Sequence, residues 1–421
     1  MNKDRPVILG YDCVSPLGTD LEAQWRRAAA GESGISALTR FPLREGFPVR
    51  IAGQVAEIDV GPYPFLRPRE MAHWTSPVFK YALLVVMRAL AQAGVDITSE
   101  TAPRVAVTFS SAIGGLDALI DADRTLTATG KLPQPFMNPN SCINMVGGKV
   151  AIATGATGPI SSIVTACATG SSSLILGAMF IAQGMADVAI CGAVDFPLVE
   201  SIVAGFATMN GAYRPREGEE PVPPQAASCP FSLSRRGFVV SEGAGCIVIC
   251  SHAFAAAHGL AYEIELAGWG MTADAYHVVA PNPVTVRRCM EECIRNAGID
   301  PADVDAVNAH AASTKIGDRV EADVLREVFA GRVPPVSAGK SQLGHAMGAS
   351  SAVESILAME GMRRGVLLPT INCRPDPEIP LDCVAEGFRT LEQEFVLKNA
   401  FGFGGAMRVL CFGAWPDMNP A

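Results

Sequence analysis

The chain has 421 residues, 49% of them apolar and only 18% charged, which excludes a miniprotein, a disordered chain and a fibrous repeat and predicts two or three domains or one large α/β unit. Its 42 acidic and 33 basic residues leave a net charge of −9, a poor surface for wrapping nucleic acid through phosphate contacts. The 41 Gly and 30 Pro follow no short period and punctuate turns instead.

From the N-terminus, PVILGYDCV reads as a first strand, too short for a secretory signal, and Leu21 to Ala30 reads as a helix. A strand RVAVTFSS follows a helix spanning about Lys80 to Ala93, and DVAICGAV and CIVIC are further strands. IELAGWGM, DAVNAHAAS, PVSAG and FVLKNAFGFGGAMRVLCF alternate with helices expected from about Thr285 to Ala297, Arg319 to Phe329 and Ser350 to Arg363. This order implies βαβ units and a mainly parallel, buried sheet. A boundary is expected near residue 255, giving halves 1–255 and 256–421, with no repeat by identity between them. Tyr213 to Ser228, polar and Pro-rich, is expected to be an exposed connection. No segment offers the roughly 18 uninterrupted apolar residues of a membrane span.

The 12 cysteines are spread thinly over a long chain without CxxC pairs or Cys/His ligand spacing, so a reducing cytoplasm is expected, with neither disulfides nor a metal. Cys246, Cys250, Cys289 and Cys293 read as core thiols. Cys167, in TACATGSSSLILGAMF, differs because it opens an apolar helix. Unpaired N–H groups and the helix dipole there are expected to lower its pKa and favour a nucleophilic thiolate. His310 ends the strand DAVNAH, and His345 lies between glycines in GKSQLGHAMGASS; both are strand or helix ends, where side chains reach clefts. His73, His252 and His258 read as surface histidines, with His277 intermediate. A Cys, two His, Lys340 and a Gly-rich FGFGG fit a nucleophile with hydrogen-bond donors or bases, and fit a hydrolase too.

Four separated segments, TACATGSSS, NAHAAST, GKSQLGHAMGASSAVE and NAFGFGG, resemble the elongating β-ketoacyl-acyl-carrier-protein synthases of the thiolase-like superfamily. VSPLGTDLEAQWRRAAAGESGI, FVVSEGAG and ADAYHVVAP extend the resemblance over nearly the whole chain. The resemblance implies a thiolase-like α/β fold with five layers, α-β-α-β-α, built from two related halves. It also implies a homodimer, or a heterodimer, whose subunits shape each other's acyl pocket, with an acyl carrier protein as partner and no cofactor. The Cys-His-His set separates it from the Cys-His-Asn thiolases and chain-initiating enzymes.

Carried onto this chain, the resemblance makes Cys167 the acyl-accepting nucleophile, with the N–H groups of Cys167 and Phe403 as oxyanion hole. His310 and His345 would stabilise the enolate left when a malonyl thioester loses CO2. Lys340, with Glu354 as its counter-charge, would keep the imidazoles neutral. Glu321 and Asp318 are expected to be structural. Ala112, Ile113, Met137 and Phe206 match acyl-pocket positions, while Thr314 and Phe401 match further substrate contacts. There are departures: Ala312 stands where the family carries the first of two threonines on the pantetheine arm, and Ala406-Met407 replaces Thr-Asn after FGFGG. At carrier-binding positions the chain has His73, Trp74 and Asn210, with Arg67, Arg69, Arg214 and Arg216 nearby. The expected activity is a decarboxylating Claisen condensation in fatty-acid or polyketide elongation. Alternatives are a ketosynthase of a specialised polyketide or polyene pathway, a non-catalytic chain-length subunit, against which Cys167 argues, and a Cys-His thioesterase.

Overall fold

A computed structural model describes residues 5–215, 222–385 and 387–415. In the N-terminal half, strand β1 (Pro6–Val14) is followed by helix α1 (Pro77–Ala93), β2 (Val105–Ser110), helices α2 (Asn144–Thr154) and α3 (Thr169–Ala182), β3 (Val188–Asp195) and β4 (Gly243–Ser251). In the C-terminal half come β5 (Ile264–Ala273), α4 (Pro283–Ala297), β6 (Ala306–Asn308), α5 (Lys315–Val328), β7 (Val336–Ser337), α6 (Met347–Arg364), β8 (Phe395–Gly402) and β9 (Ala406–Ala414).

The first expected helix is found at Leu21–Ala29, but the four later ones begin earlier than their apolar periodicity suggests. Pro77 opens α1, where its missing N–H costs nothing, and α5 starts at Lys315 with Thr314 at its N-cap. The last long apolar run breaks into the two antiparallel strands β8 and β9. Gly404 and Gly405 take φ of 81° and 80° in the hairpin between them, a conformation that a side chain disfavours.

The nine strands pair in the order β2-β3-β4-β1-β5-β9-β8-β6-β7. Beside β2, Ile160 forms a parallel bridge with Val107, so the N-terminal half has a third strand position between β2 and β3 in sequence. Counted by sequence, both halves then run 3-2-4-5-1 across the sheet, with the fifth strand antiparallel to its neighbours in each, so the sheet is mixed and not mainly parallel as the alternation of elements implies. The two halves are topological copies, a duplication that residue identity does not reveal. They join at β1 and β5 through the single pair Val7↔Glu265, reinforced by the Arg5–Glu265 ion pair at 2.6 Å.

Three apolar cores define the layers. One lies between the N-terminal strands and α1, with Phe79, Leu84 and Val86 against Val107, Ile190 and Val248. A second, around Leu174, Ile175, Ile356 and Leu357, buries α3 and α6 between the two sets of strands. The third packs α4 and α5 on the C-terminal strands through Met290, Cys293 and Leu325. The result is α-β-α-β-α. Helix α6 is buried nearly all round, as a central-layer helix must be. Cys246, Cys250, Cys289 and Cys293 are buried free thiols. The connection expected to be exposed is buried at both ends, at Tyr213, Ala227 and Ser228. Residues 216–221 of it, Arg216 included, lie outside the described residues. Among the described residues no helix is long and apolar enough to cross a membrane.

Candidate active site

Cys167 sits on a short 3-10 turn, Ala166–Ala168, at the entry to α3. Ala166 is held at φ 49°, a left-handed conformation unusual for a residue with a Cβ. Thr169 closes the turn, its hydroxyl accepting the Thr165 N–H at 3.1 Å and donating to the Ala166 carbonyl at 2.7 Å. Gly402 of β8 crosses so closely that a Cβ there would lie 2.1 Å from the Thr165 carbonyl oxygen. Buried Arg408 supports the same turn: its Nε donates to Ser172 Oγ at 2.8 Å, which lies 2.7 Å from Thr165 Oγ1.

His345 Nε2 lies 3.1 Å from Cys167 Sγ. The backbone N–H groups of Phe403 and Cys167 stand beside the sulfur and favour its thiolate. His310 faces His345 edge-on, ring centres 5.8 Å apart, and lies 5.3 Å from the Phe401 ring. These side chains line a cavity of about 740 Å³ together with Thr314, Ala312, Phe403 and Met407. Arg214, Arg236, Lys315 and His277 also line it.

Burial governs the protonation states. It pushes the Cys167 thiol up to about 11, and the opposing pulls of Lys340 and the Phe403 N–H do not offset it. The lowered pKa expected from the helix terminus alone is therefore corrected: desolvation of a thiolate outweighs the dipole here. Both histidines are held well below the usual imidazole value, first by burial and second by the Lys340 ammonium. Lys340 is fully buried, donating to the His310 carbonyl at 2.6 Å and pairing with Glu354 at 2.7 Å.

Glu321 accepts the N–H groups of His310 and Ala311 at 2.8 and 2.7 Å and so orients the His310 loop. Asp318 accepts those of Phe231 and Thr314 at 2.9 and 3.0 Å. Ala112, Ile113 and Phe206 pack with Phe403 in a separate apolar cluster beside the cavity. Met137 is not brought to them: it starts the short helix Met137–Ser141, outside both cavity and cluster. Arg67, Arg69 and His73 are exposed. Arg214 donates to Asn210 Oδ1 at 2.5 Å, and Lys149 lies 5.3 Å over the Trp74 ring.

Four residues escaped the sequence reading. Buried Asp195 at the end of β3 accepts the N–H groups of Ala112, Ile113 and Gly348 at 3.0, 2.9 and 2.7 Å, tying the apolar cluster to the start of α6. Ser350 Oγ lies 2.9 Å from His345 Nδ1 and accepts the Ala346 N–H at 2.8 Å. Lys398 pairs with Glu354 at 2.6 Å, and Arg408 is the fourth. Asp195 at a strand end carried a readable signal; the other three stand in apolar or small-residue runs that read as packing.

The family described as "Beta-ketoacyl synthase, N-terminal domain" matches residues 3–255, and "Beta-ketoacyl synthase, C-terminal domain" matches 264–374. The chain belongs to the β-ketoacyl synthase family. This β-ketoacyl synthase is 36% identical over 96% of its length to a 3-oxoacyl-[acyl-carrier-protein] synthase 2 of Coxiella burnetii, covering 97% of that protein. Among solved structures, a β-ketoacyl synthase from Burkholderia phymatum superposes with a TM-score of 0.89 at 28% identity, over 98% of this chain and 99% of that one. A chain from a complex of a type II PKS acyl-carrier protein with its ketosynthase, bound to the hexaketide, matches with a TM-score of 0.87 at 27% identity, over the same shares.

Proposed function

We propose that this synthase condenses an acyl thioester held on Cys167 with malonyl-acyl carrier protein, releasing CO2 and a 3-ketoacyl thioester. The carrying observation is one buried sulfur 3.1 Å from one imidazole, with a second imidazole facing the same cavity and the Phe403 and Cys167 N–H groups beside the sulfur. In the first half-reaction Cys167 adds to the acyl thioester carbonyl. The N–H groups of Cys167 and Phe403 hold the oxyanion, and the thiol proton ends on the departing pantetheine sulfur. In the second, the malonyl C–C bond to the carboxylate breaks and CO2 leaves. The electron pair becomes an enolate whose oxygen accepts from the Nε2–H groups of His310 and His345. The enolate carbon attacks the acyl-enzyme, and the Cys167 sulfur leaves and takes up one proton.

Donation through Nε2 requires neutral rings, which burial and Lys340 support. It also requires the correct tautomer. Ser350 Oγ supplies it by donating its proton to His345 Nδ1 while accepting the Ala346 N–H, which leaves the ring proton on Nε2. Phe403 serves both as oxyanion donor and, packed with Ile113 and Phe206, as the gate between cavity and acyl pocket. A dimer partner would complete that pocket, Met137 facing it from across the interface. The functional halves divide near residue 255, and a cytoplasmic location goes with the free thiols.

A ketosynthase of a specialised polyketide pathway, acting with a dedicated carrier or a heterodimeric partner, is the second reading. Ala312 and Met407 favour it, because both line the cavity where pantetheine-binding or gate-setting polar groups are expected. The test offers acyl and malonyl thioesters on a carrier protein. Equal amounts of CO2 and 3-ketoacyl product are expected, whereas free acid without CO2 would replace the condensing reading by a thioesterase.

A further inference from the structure

In β8, the residues Val396, Lys398 and Ala400 share one face of the strand. Val396 and Ala400 are apolar and buried, and Lys398 between them has no solvent exposure. Its ammonium donates to Glu354 Oε2 at 2.6 Å and to the Asn399 carbonyl at 2.7 Å. Glu354 is already paired, since Lys340 lies 2.7 Å from Oε1 and 3.0 Å from Oε2. One carboxylate is thus held by two buried lysines, although either alone would neutralise it. An apolar side chain at 398 would fill the row without a desolvation cost, so the second charge calls for a role that packing does not supply.

The other ionisable groups facing this cluster are Glu321 from α5, His310 from the loop after β6, His345 before α6 and, beyond His345, the Cys167 thiol, which burial pushes up to about 11 and so keeps neutral across the range tested. Glu321 directs its charge into the His310 and Ala311 N–H groups and the Asn399 amide. The uncancelled positive charge of the Lys340–Glu354–Lys398 triad therefore lies behind the imidazoles.

We propose that Lys398 is a positioning residue for both histidines: by sharing Glu354 with Lys340, it leaves a positive field that keeps His310 and His345 uncharged and favours negative charge developing between them. This rests on the condensing reading above. Lys398 contributes to the downward shift of both imidazoles, after burial and Lys340. Its own ammonium is pushed down to about 8, chiefly by burial. The field therefore weakens as pH rises through that value.

The experiment measures CO2 release from malonyl-pantetheine against pH, using the full chain, Lys398→Met and Lys398→Gln. Gln keeps donors for Glu354 and the Asn399 carbonyl but has no charge, and serves where Met lowers the melting temperature. Acylation of Cys167 by a short acyl thioester is followed in parallel. Wild type should hold its rate down through pH 6 and lose rate through pH 8. The folded uncharged variants should show an acid limb raised by about one pH unit and no loss through pH 8, with Cys167 acylation retained. Superimposable profiles for wild type and the Gln variant would overturn the proposal while leaving the condensing reading intact. No CO2 from wild type at any pH would overturn both.

Discussion

Both halves carry a third strand position, a turn and a central-layer helix in that order, yet they end the turn differently. After Ile160 the N-terminal half reaches Cys167 and then α3; after β7 the C-terminal half reaches His345 and then α6. The two side chains meet at 3.1 Å. The loops after the second strands also diverge: β6 leads to His310, whereas β2 leads to Ala112 and Ile113, whose N–H groups are held by Asp195. The fourth and fifth strands are joined by the tight turn 403–405 in the C-terminal half and by residues 196–242 in the N-terminal half. One topology has thus been used twice, once to present the Cys167 thiol beside an apolar cluster and once to present His310 and His345 to the same cavity.

The closest crossing between the halves should be the most sensitive to change. Gly402→Ala places a Cβ against the Thr165 carbonyl, a backbone contact with no rotamer to yield. Displacing the Cys167 turn from the Phe403 N–H should reduce condensation by about a hundredfold and cost about 3 kcal/mol of stability. Kinetics and a melting curve on the same variant check both.

A change confined to the N-terminal pocket should separate substrates instead. Ile113→Phe fills the cluster shared with Phe206 and Phe403. Each methylene denied burial costs about 0.8 kcal/mol, so acyl chains four carbons past the block should lose roughly a hundredfold in kcat/KM while short chains change little. A uniform loss across chain lengths, with a lowered Tm, would make Ile113 ordinary core.

Smaller effects are expected where single hydrogen bonds are changed in the C-terminal half. Ser350→Ala removes the hydroxyl partner of His345 Nδ1. It should slow malonyl decarboxylation by about tenfold, leave Cys167 acylation unchanged and be rescued by Ser350→Thr. Ala312→Thr restores a hydroxyl on the cavity wall. It should lower KM for a generic pantetheine thioester by about two- to fivefold with kcat unchanged. A raised KM would show that the alanine makes room for a different arm or partner.

What the sequence could disclose follows from the range of the physics involved. Cys167, His310 and His345 are readable because each sits where a strand or helix ends amid small residues, and because their motifs match a family along the whole chain. Strand and helix alternation is local and equally legible. The duplication is not, since matching strand order requires only matching alternation and leaves residue identity free. Lys398 was hidden inside FVLKNAF, where a strand lysine reads as solvent-facing; only the approach of Glu354 from α6 reveals it as buried. Cys167 does stand at a helix entry, yet its thiol lies above and not below the free value, because the helix terminus is visible in the chain and the depth of burial is not. Met137, matched by position alone, stands apart from the cavity of its own chain.

The division of labour between the halves is tested most directly by crossing Cys167→Ser with His345→Ala and measuring two quantities in each folded variant: acyl label on residue 167 and CO2 released from a malonyl thioester. Cys167→Ser should lose condensation while still releasing CO2, and His345→Ala should retain the acyl-enzyme while releasing little. Complete and equal loss of acylation and decarboxylation in both variants would contradict the account.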